Sequence, residues 1–174
     1  LTQQGQNDAR PRNSEFETRL SDAIDLSRAI VELETPAEIY NWLAAAIYRL
    51  LPEVSSVFIS HYDETNQFLT CDYADSEGNT IDPAQVPLAK VNLDSGNPQD
   101  EVVRTQKPVV IDNLDQWLKS TSPLMRFSRP GKLIQSAVMA PLIIKSALSG
   151  IIQVYSYKPA RFRPAEAALL SLLG

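Results

Sequence analysis

Two long apolar runs, SAVMAPLII (136–144) and GIIQVYSY (150–157), lie almost back to back near the C-terminus, split only by the turn KSALS. Runs of this length, bounded by turn residues, read as neighbouring strands. A bend bearing Pro and Arg follows, and then a helix opens at Pro164 with Glu166 in its first turn. Four leucines, Leu169, Leu170, Leu172 and Leu173, crowd its last five positions before Gly174. The end of the chain is therefore strand, strand, apolar helix.

The upstream sequence supplies the other elements. Residues 1–13 are rich in Gln, Asn and Arg and read as a disordered leader. Ser14-Glu15-Phe16-Glu17 has the form of a capping box and predicts a helix over 15–33. On it Phe16, Leu20, Ala23, Ser27 and Ile30 recur at heptad-like spacing. Thr35-Pro36-Ala37-Glu38 is a second capping box, which starts a separate helix with Ile39, Leu43, Ile47 and Leu50 on one face. VSSVFISHY (54–62) and QFLTCDYA (67–74) predict a hairpin about the turn 63–66, with Tyr62 opposite Gln67 and Cys71 opposite Phe58. Residues 75–98 read as loop, 98–104 as a short helix capped by Ser95 or Asn97, and PVVI (108–111) as a short strand. Residues 113–132 read as irregular or short-helical. The order predicts an α+β domain over 14–174, a central and mostly antiparallel sheet of five to six strands with the N- and C-terminal helices packed on one face.

Charge and composition narrow the function. A net charge of -5 and a pI near 4.9 oppose binding to nucleic acid or to an anionic membrane surface. No apolar run approaches the roughly 18–20 residues that span a bilayer. A single Cys excludes an internal disulfide and fits a cytoplasmic setting. Because the first residue is Leu, the chain is expected to be an excerpt of a longer protein.

The chemistry-bearing residues are few. In the expected register His61 lies about 10 Å from Cys71, too far for a proton transfer, so both are expected to be structural. One His and one Cys cannot make a protein-only zinc site. Asp72, Asp75, Asp112 and Asp115 are expected on a solvated face. DSGNP (94–98) is a weak candidate for anion binding at a helix start. The cations Lys119, Arg126, Arg129 and Lys132 stand together without an acid among them, and Arg126 and Arg129 could grip a carboxylate or phosphate.

The order of elements, with Pro141-Leu142, Gly150-Ile151-Ile152, Pro159, Phe162, Glu166 and Leu169-Leu170 at its joints and VVRTQKPVVIDNL at 102–114, resembles a GAF domain over roughly residues 20–174. Arg163 departs from the family, which often caps the last helix with Ser or Thr. The resemblance implies a non-enzymatic sensory or regulatory domain of a bacterial-type signalling protein, which binds a small molecule and drives an effector domain in the same full-length chain. It places the cation segment over the ligand cavity, with Tyr73, Trp117, Phe127 and Met139 as apolar walls beside Arg126 and Arg129. It implies a homodimer through the terminal helices, by way of Phe16, Leu20, Ile30, Leu169 and Leu172. No cofactor is expected. The bilin attachment pattern of Cys followed by His is missing at Cys71-Asp72, and haem would find only His61, Met125 or Met139. Relatives resembling free-methionine sulfoxide reductases need more than one cysteine. Two other readings are a dimerisation module without a ligand and, more remotely, a redox enzyme using Cys71.

Overall fold

A computed structural model describes residues 17–22, 24, 35–114 and 132–173. Residues 17–22 are helical, and α1 spans Pro36–Leu50. The strands β1 (Ser56–Asp63) and β2 (Phe68–Ser76) follow, then the short β3 (Asn79–Ile81) and β4 (Ala89–Lys90). Next come α2 (Pro98–Thr105), β5 (Val109–Ile111), β6 (Ser136–Ile144), β7 (Ala147–Ser156) and α3 (Pro164–Leu173). The strands form one antiparallel sheet in the order β3-β2-β1-β7-β6-β5, with β4 paired to β2. The expected α+β fold is present, and the two short strands add to the five or six expected.

The caps explain why the helices begin where they do. The Thr35 hydroxyl accepts from the Glu38 amide at 3.2 Å, and the Thr35 amide donates to the Glu38 carboxylate at 2.9 Å. Two orphan donors of the α1 start are thus satisfied. Asn97, of the two residues expected, caps α2 by accepting from the Gln99 amide at 3.0 Å. At α3 the side chain of Arg163 can accept nothing, and Glu166 replaces the missing cap. Its carboxylate takes the Arg163 amide at 3.0 Å and both contacts of the Arg161 guanidinium, at 2.9 and 3.0 Å. Arg161 also donates to the Pro52 carbonyl just beyond α1, and Arg19 approaches Glu166 at 3.6 Å. One ion cluster therefore ties α1, α3 and the first helical segment together.

Each face of the sheet is covered, which is why the C-terminal runs are largely apolar on both faces. On one face α1 and α3 bury Leu43, Ile47 and Leu170 against Val57, Ile59, Val138, Ile152 and Val154, with Leu20 packed beside them. On the other, Val102 and Val103 of α2 cover Phe58, Cys71, Met139, Ile151 and Tyr155. Leu169 is buried within the chain's own core, whereas Leu172 is 53% exposed; of the expected dimer residues, Leu169 is a core residue here. Phe16 and Ile30 lie outside the described residues.

The hairpin register departs from expectation. Tyr62 pairs with Leu69 and Ser60 with Cys71, because Asp63 stays in the strand and accepts from the Asn66 amide, while Gln67 turns at φ 59. A bulge follows. Ile59 pairs with Tyr73, so Asp72 is the extra residue and Phe58 lies opposite Ala74, not Cys71. The β6–β7 turn is also tighter than the expected five residues. Lys145 and Ser146 alone make it, at φ 51 and 65, and Ala147 already belongs to β7.

Gly150 sits where β7 presses on β1. A Cβ there would stand 2.0 Å from the Ser60 carbonyl oxygen and 2.9 Å from the His61 Cα. Both neighbours are backbone, so relief requires the strands to part. Gly150→Ala is expected to cost about 3 kcal/mol or more, measured by urea unfolding. Gly78→Ala, at φ +79 with open space around it, should cost only about 1 kcal/mol.

Candidate functional site

Strand β7 carries two polar side chains into the layer beneath α2, in a stretch that is otherwise apolar. Gln153 is 5% exposed, and its Oε1 accepts from the Tyr155 hydroxyl and from Gln99 Nε2 of α2, both at 2.8 Å. Tyr155 meets Phe58 edge to face, with ring centroids 5.6 Å apart. Met139, fully buried, lies beside Gln153 in the register of β6 on β7. Tyr157 packs against the same layer, and the Lys132 ammonium lies 5.4 Å from its ring centroid.

Burial governs the electrostatics here. Desolvation pushes the Cys71 thiol up to about 11, and the thiol donates to the Tyr73 carbonyl at 3.2 Å. Burial raises the Tyr155 hydroxyl well above its ordinary range, with Cys71 contributing. Both groups are neutral at pH 7 and serve as hydrogen-bond donors. Asp100, buried on α2, accepts from the Ser95 hydroxyl. The Ser95 oxygen also takes the Asn97 amide, and Asn97 takes the Gln99 amide, so the DSGNP turn spends its polar groups on itself.

The residues expected to act together are separated. Met139 lies in the α2-facing layer, but Tyr73 packs on the opposite face, against the helix-side core. The bulge at Asp72 is the cause, since the extra residue resets the alternation and brings Asp72 and Tyr73 to one side. Tyr73 and Met139 thus cannot wall one cavity. Trp117, Arg126, Phe127 and Arg129 lie outside the described residues, as do Lys119 and Asp115. Sequence reasoning passed over Gln99, Gln153 and Tyr155. The signal available was the polar spacing of Gln153, Tyr155 and Tyr157 inside GIIQVYSY.

His61 and Cys71 do not cooperate, although the expected reason was wrong. Cys71 pairs with Ser60, next to His61, but the two side chains point to opposite faces. His61 Nδ1 meets the Asp72 carboxylate at 2.8 and 2.9 Å, and Asp72 also accepts from the Tyr40 hydroxyl of α1 at 3.1 Å. Burial, with Asp72 second, pushes that tyrosine up to about 12. Asp75 overturns the expectation of a solvated acid. It is 4% exposed and accepts from the Tyr48 hydroxyl and, at 3.0 Å, from the Gly78 amide. Asp112 is exposed, as expected.

Among the described residues, no group of three or more His, Cys, Asp and Glu is placed to hold a metal, and no helix is long and apolar enough to cross a membrane.

A family model described as GAF domain matches residues 34–174. No curated protein sequence matches this chain. Among solved structures, it is similar to the GAF domain from an Acinetobacter phosphoenolpyruvate-protein phosphotransferase, at 17% identity and a TM-score of 0.65, over 90% of this chain and 87% of that one. It is similar to the corresponding domain from Coxiella burnetii, at 12% identity and a TM-score of 0.67, over 91% and 89%. A free methionine-R-sulfoxide reductase from Neisseria meningitidis, solved with its substrate, matches at 13% identity and a TM-score of 0.61, over 99% and 90%.

The raised thiol has two measurable consequences. In the native protein, iodoacetamide should modify Cys71 at least about a hundredfold more slowly at pH 7 than in the urea-unfolded chain, since thiolate is the reactive form. The folded pKa lies above the unfolded one, so stability is full below about pH 9 and falls as pH rises toward 11, where the unfolded chain sheds its proton first. Cys71→Ser should flatten that part of the alkaline slope, leaving the contribution of Tyr40, which titrates toward about 12.

Proposed function

Because this chain belongs to the GAF domain family, a family of sensory and regulatory domains, we propose that it binds a small molecule in the α2-facing layer and passes the event to an effector domain through the terminal helices. The observation that carries this reading is the alternation along β7. Gln153 and Tyr155 meet α2 on one face, while Ile152 and Val154, alternating with them, pack under α1 and α3 on the other. A ligand that displaces β7 is felt directly by the helix layer. The response is a shift between two helix arrangements, set by the difference in affinity of the ligand for each.

The reading is non-enzymatic and needs no cofactor. Cys71 is held protonated and His61 faces away from it, so the two do not form a nucleophile and base. The setting is the cytoplasm, and the output lies in another domain of the full-length protein. The protomers pair through the terminal helices, where Ile24 and Leu172 expose apolar side chains. Covering such residues contributes about 1.5–3 kcal/mol each.

A second reading, a dimerisation module without a small ligand, is favoured by how completely the layer fills itself. Met139 and Ile151 are fully buried among the side chains of that layer.

Native mass spectrometry of freshly purified protein separates the two. Extra mass that disappears on denaturation supports the sensor; a bare dimer supports the module. Leu172→Asp should convert a dimer to a monomer at tens of micromolar in light scattering, weakening association by roughly ten- to a hundredfold. Unchanged dimerisation would place the interface elsewhere.

A further inference from the structure

The helical residues 17–22 are lightly attached to the helix layer. Glu17, Thr18 and Ser21 are exposed, and the contacts lie on the other side of the turn. Arg19 reaches the Glu166 carboxylate at 3.6 Å, in the first turn of α3. Asp22 reaches Arg49 at 3.7 Å, in the last turn of α1. Leu20 is half-buried against the core beneath both helices. The two ion pairs have opposite polarity, so they fix direction as well as place. A reversed segment would set Arg19 against Arg49 and Asp22 against Glu166. Neither pair is strong: both separations exceed hydrogen-bond length, and the Arg49 side chain is 64% exposed. Beneath them, Leu43, Ile47 and Leu170 are fully buried and hold α1 and α3 to the sheet.

We propose that residues 17–22 form a strap that docks and releases as one unit, and that Glu166 makes the hold on the start of α3 depend on whether the strap is docked. The strap opens locally, at a free energy well below that of unfolding the sheet. Glu166 is a positioning residue. Its buried carboxylate accepts from the Arg163 amide and so caps α3. When the strap leaves, that bond and the Arg161 pair remain, but the charge of Arg19 is lost. A buried carboxylate with less opposing charge is less well compensated, and the turn that it caps loosens. The coupling is reciprocal, so displacing the start of α3 weakens the docking of the strap by the same factor. The device joins the two helical ends of the domain and holds whether or not a small molecule binds.

The test is amide solvent exchange, followed by NMR on the ¹⁵N-labelled chain. Arg19→Gln is expected to speed exchange at 17–22 about three- to tenfold. The amides of Arg163, Glu166 and Ala167 should quicken with it; the first donates to the Glu166 carboxylate and the other two to the Arg163 carbonyl, each at 3.0 Å. Asp22→Asn should move both groups the same way by about twofold, although Asp22 pairs at the other end of the strap, with Arg49. Arg19→Lys keeps the charge and should restore most of the protection, while the β7 amides of 151–155 stay unchanged in every variant. Unchanged exchange at 17–22 in Arg19→Gln, or Arg19→Lys behaving like Arg19→Gln, overturns the charge-held strap. Changes that stop at the strap in either Arg19→Gln or Asp22→Asn overturn the coupling to α3. Faster exchange in β7 as well would make the effect a general loosening, and overturns the proposal too.

Discussion

The pairing of β1 with β7 is the contact on which the rest of the molecule depends. Strand β7 is flanked by β1 and β6, and every residue from Gly150 to Ser156 is buried. The missing side chain at Gly150 lets the Ser60 carbonyl come within the distance a Cβ would need. Without that approach the hairpin β1–β2 and the hairpin β6–β7 would be two small sheets, each too narrow to carry a helix layer on one face and α2 on the other. Both cores, and the polar row of Gln153 and Tyr155, exist because the two halves meet there.

A second tie holds the helix layer in register with this sheet. Arg161 has little freedom. Its guanidinium is shared between the Glu166 carboxylate and the Pro52 carbonyl, and only 11% of its side chain is exposed. Glu166 in turn serves as the cap of α3 and as the partner of Arg19. A half-buried arginine paired in two directions is a positional device more than a source of stability, since desolvation offsets much of the attraction. It fixes where α3 starts relative to where α1 ends, and the first helical segment is anchored to the same carboxylate.

The sequence made much of the fold legible. Thr35-Pro36 and the Pro164 start gave the helices, because caps and prolines are local signals that burial does not override. The apolar runs at 136–144 and 150–157 gave the central strands for the same reason. The register of β1 on β2 was not legible. It depends on Asp63 staying in the strand and on a one-residue bulge at Asp72, which the strand and turn signals do not mark. That single residue decided the site residues as well, by sending Tyr73 to the helix face. Gln153 and Tyr155 were visible only as a polar alternation, and an alternation cannot tell which face is covered by α2 until the sheet is assembled. Leu169 and Leu172, three apart on one helix, looked equivalent in the sequence, yet one fills the core and the other faces out.

The β1–β7 pairing also sets the order of events during synthesis. It joins Ser56 to Tyr155, about a hundred residues apart, so β1 leaves the ribosome long before its partner exists. Until then α1 has only the edge of a two-stranded hairpin on which to lay Leu43 and Ile47, and that hairpin keeps an open, apolar flank. The nascent chain must therefore travel most of its length with its first core half built. It closes only when the last strand and the helix behind it come free, so protection from aggregation during translation matters more for this domain than its modest size suggests.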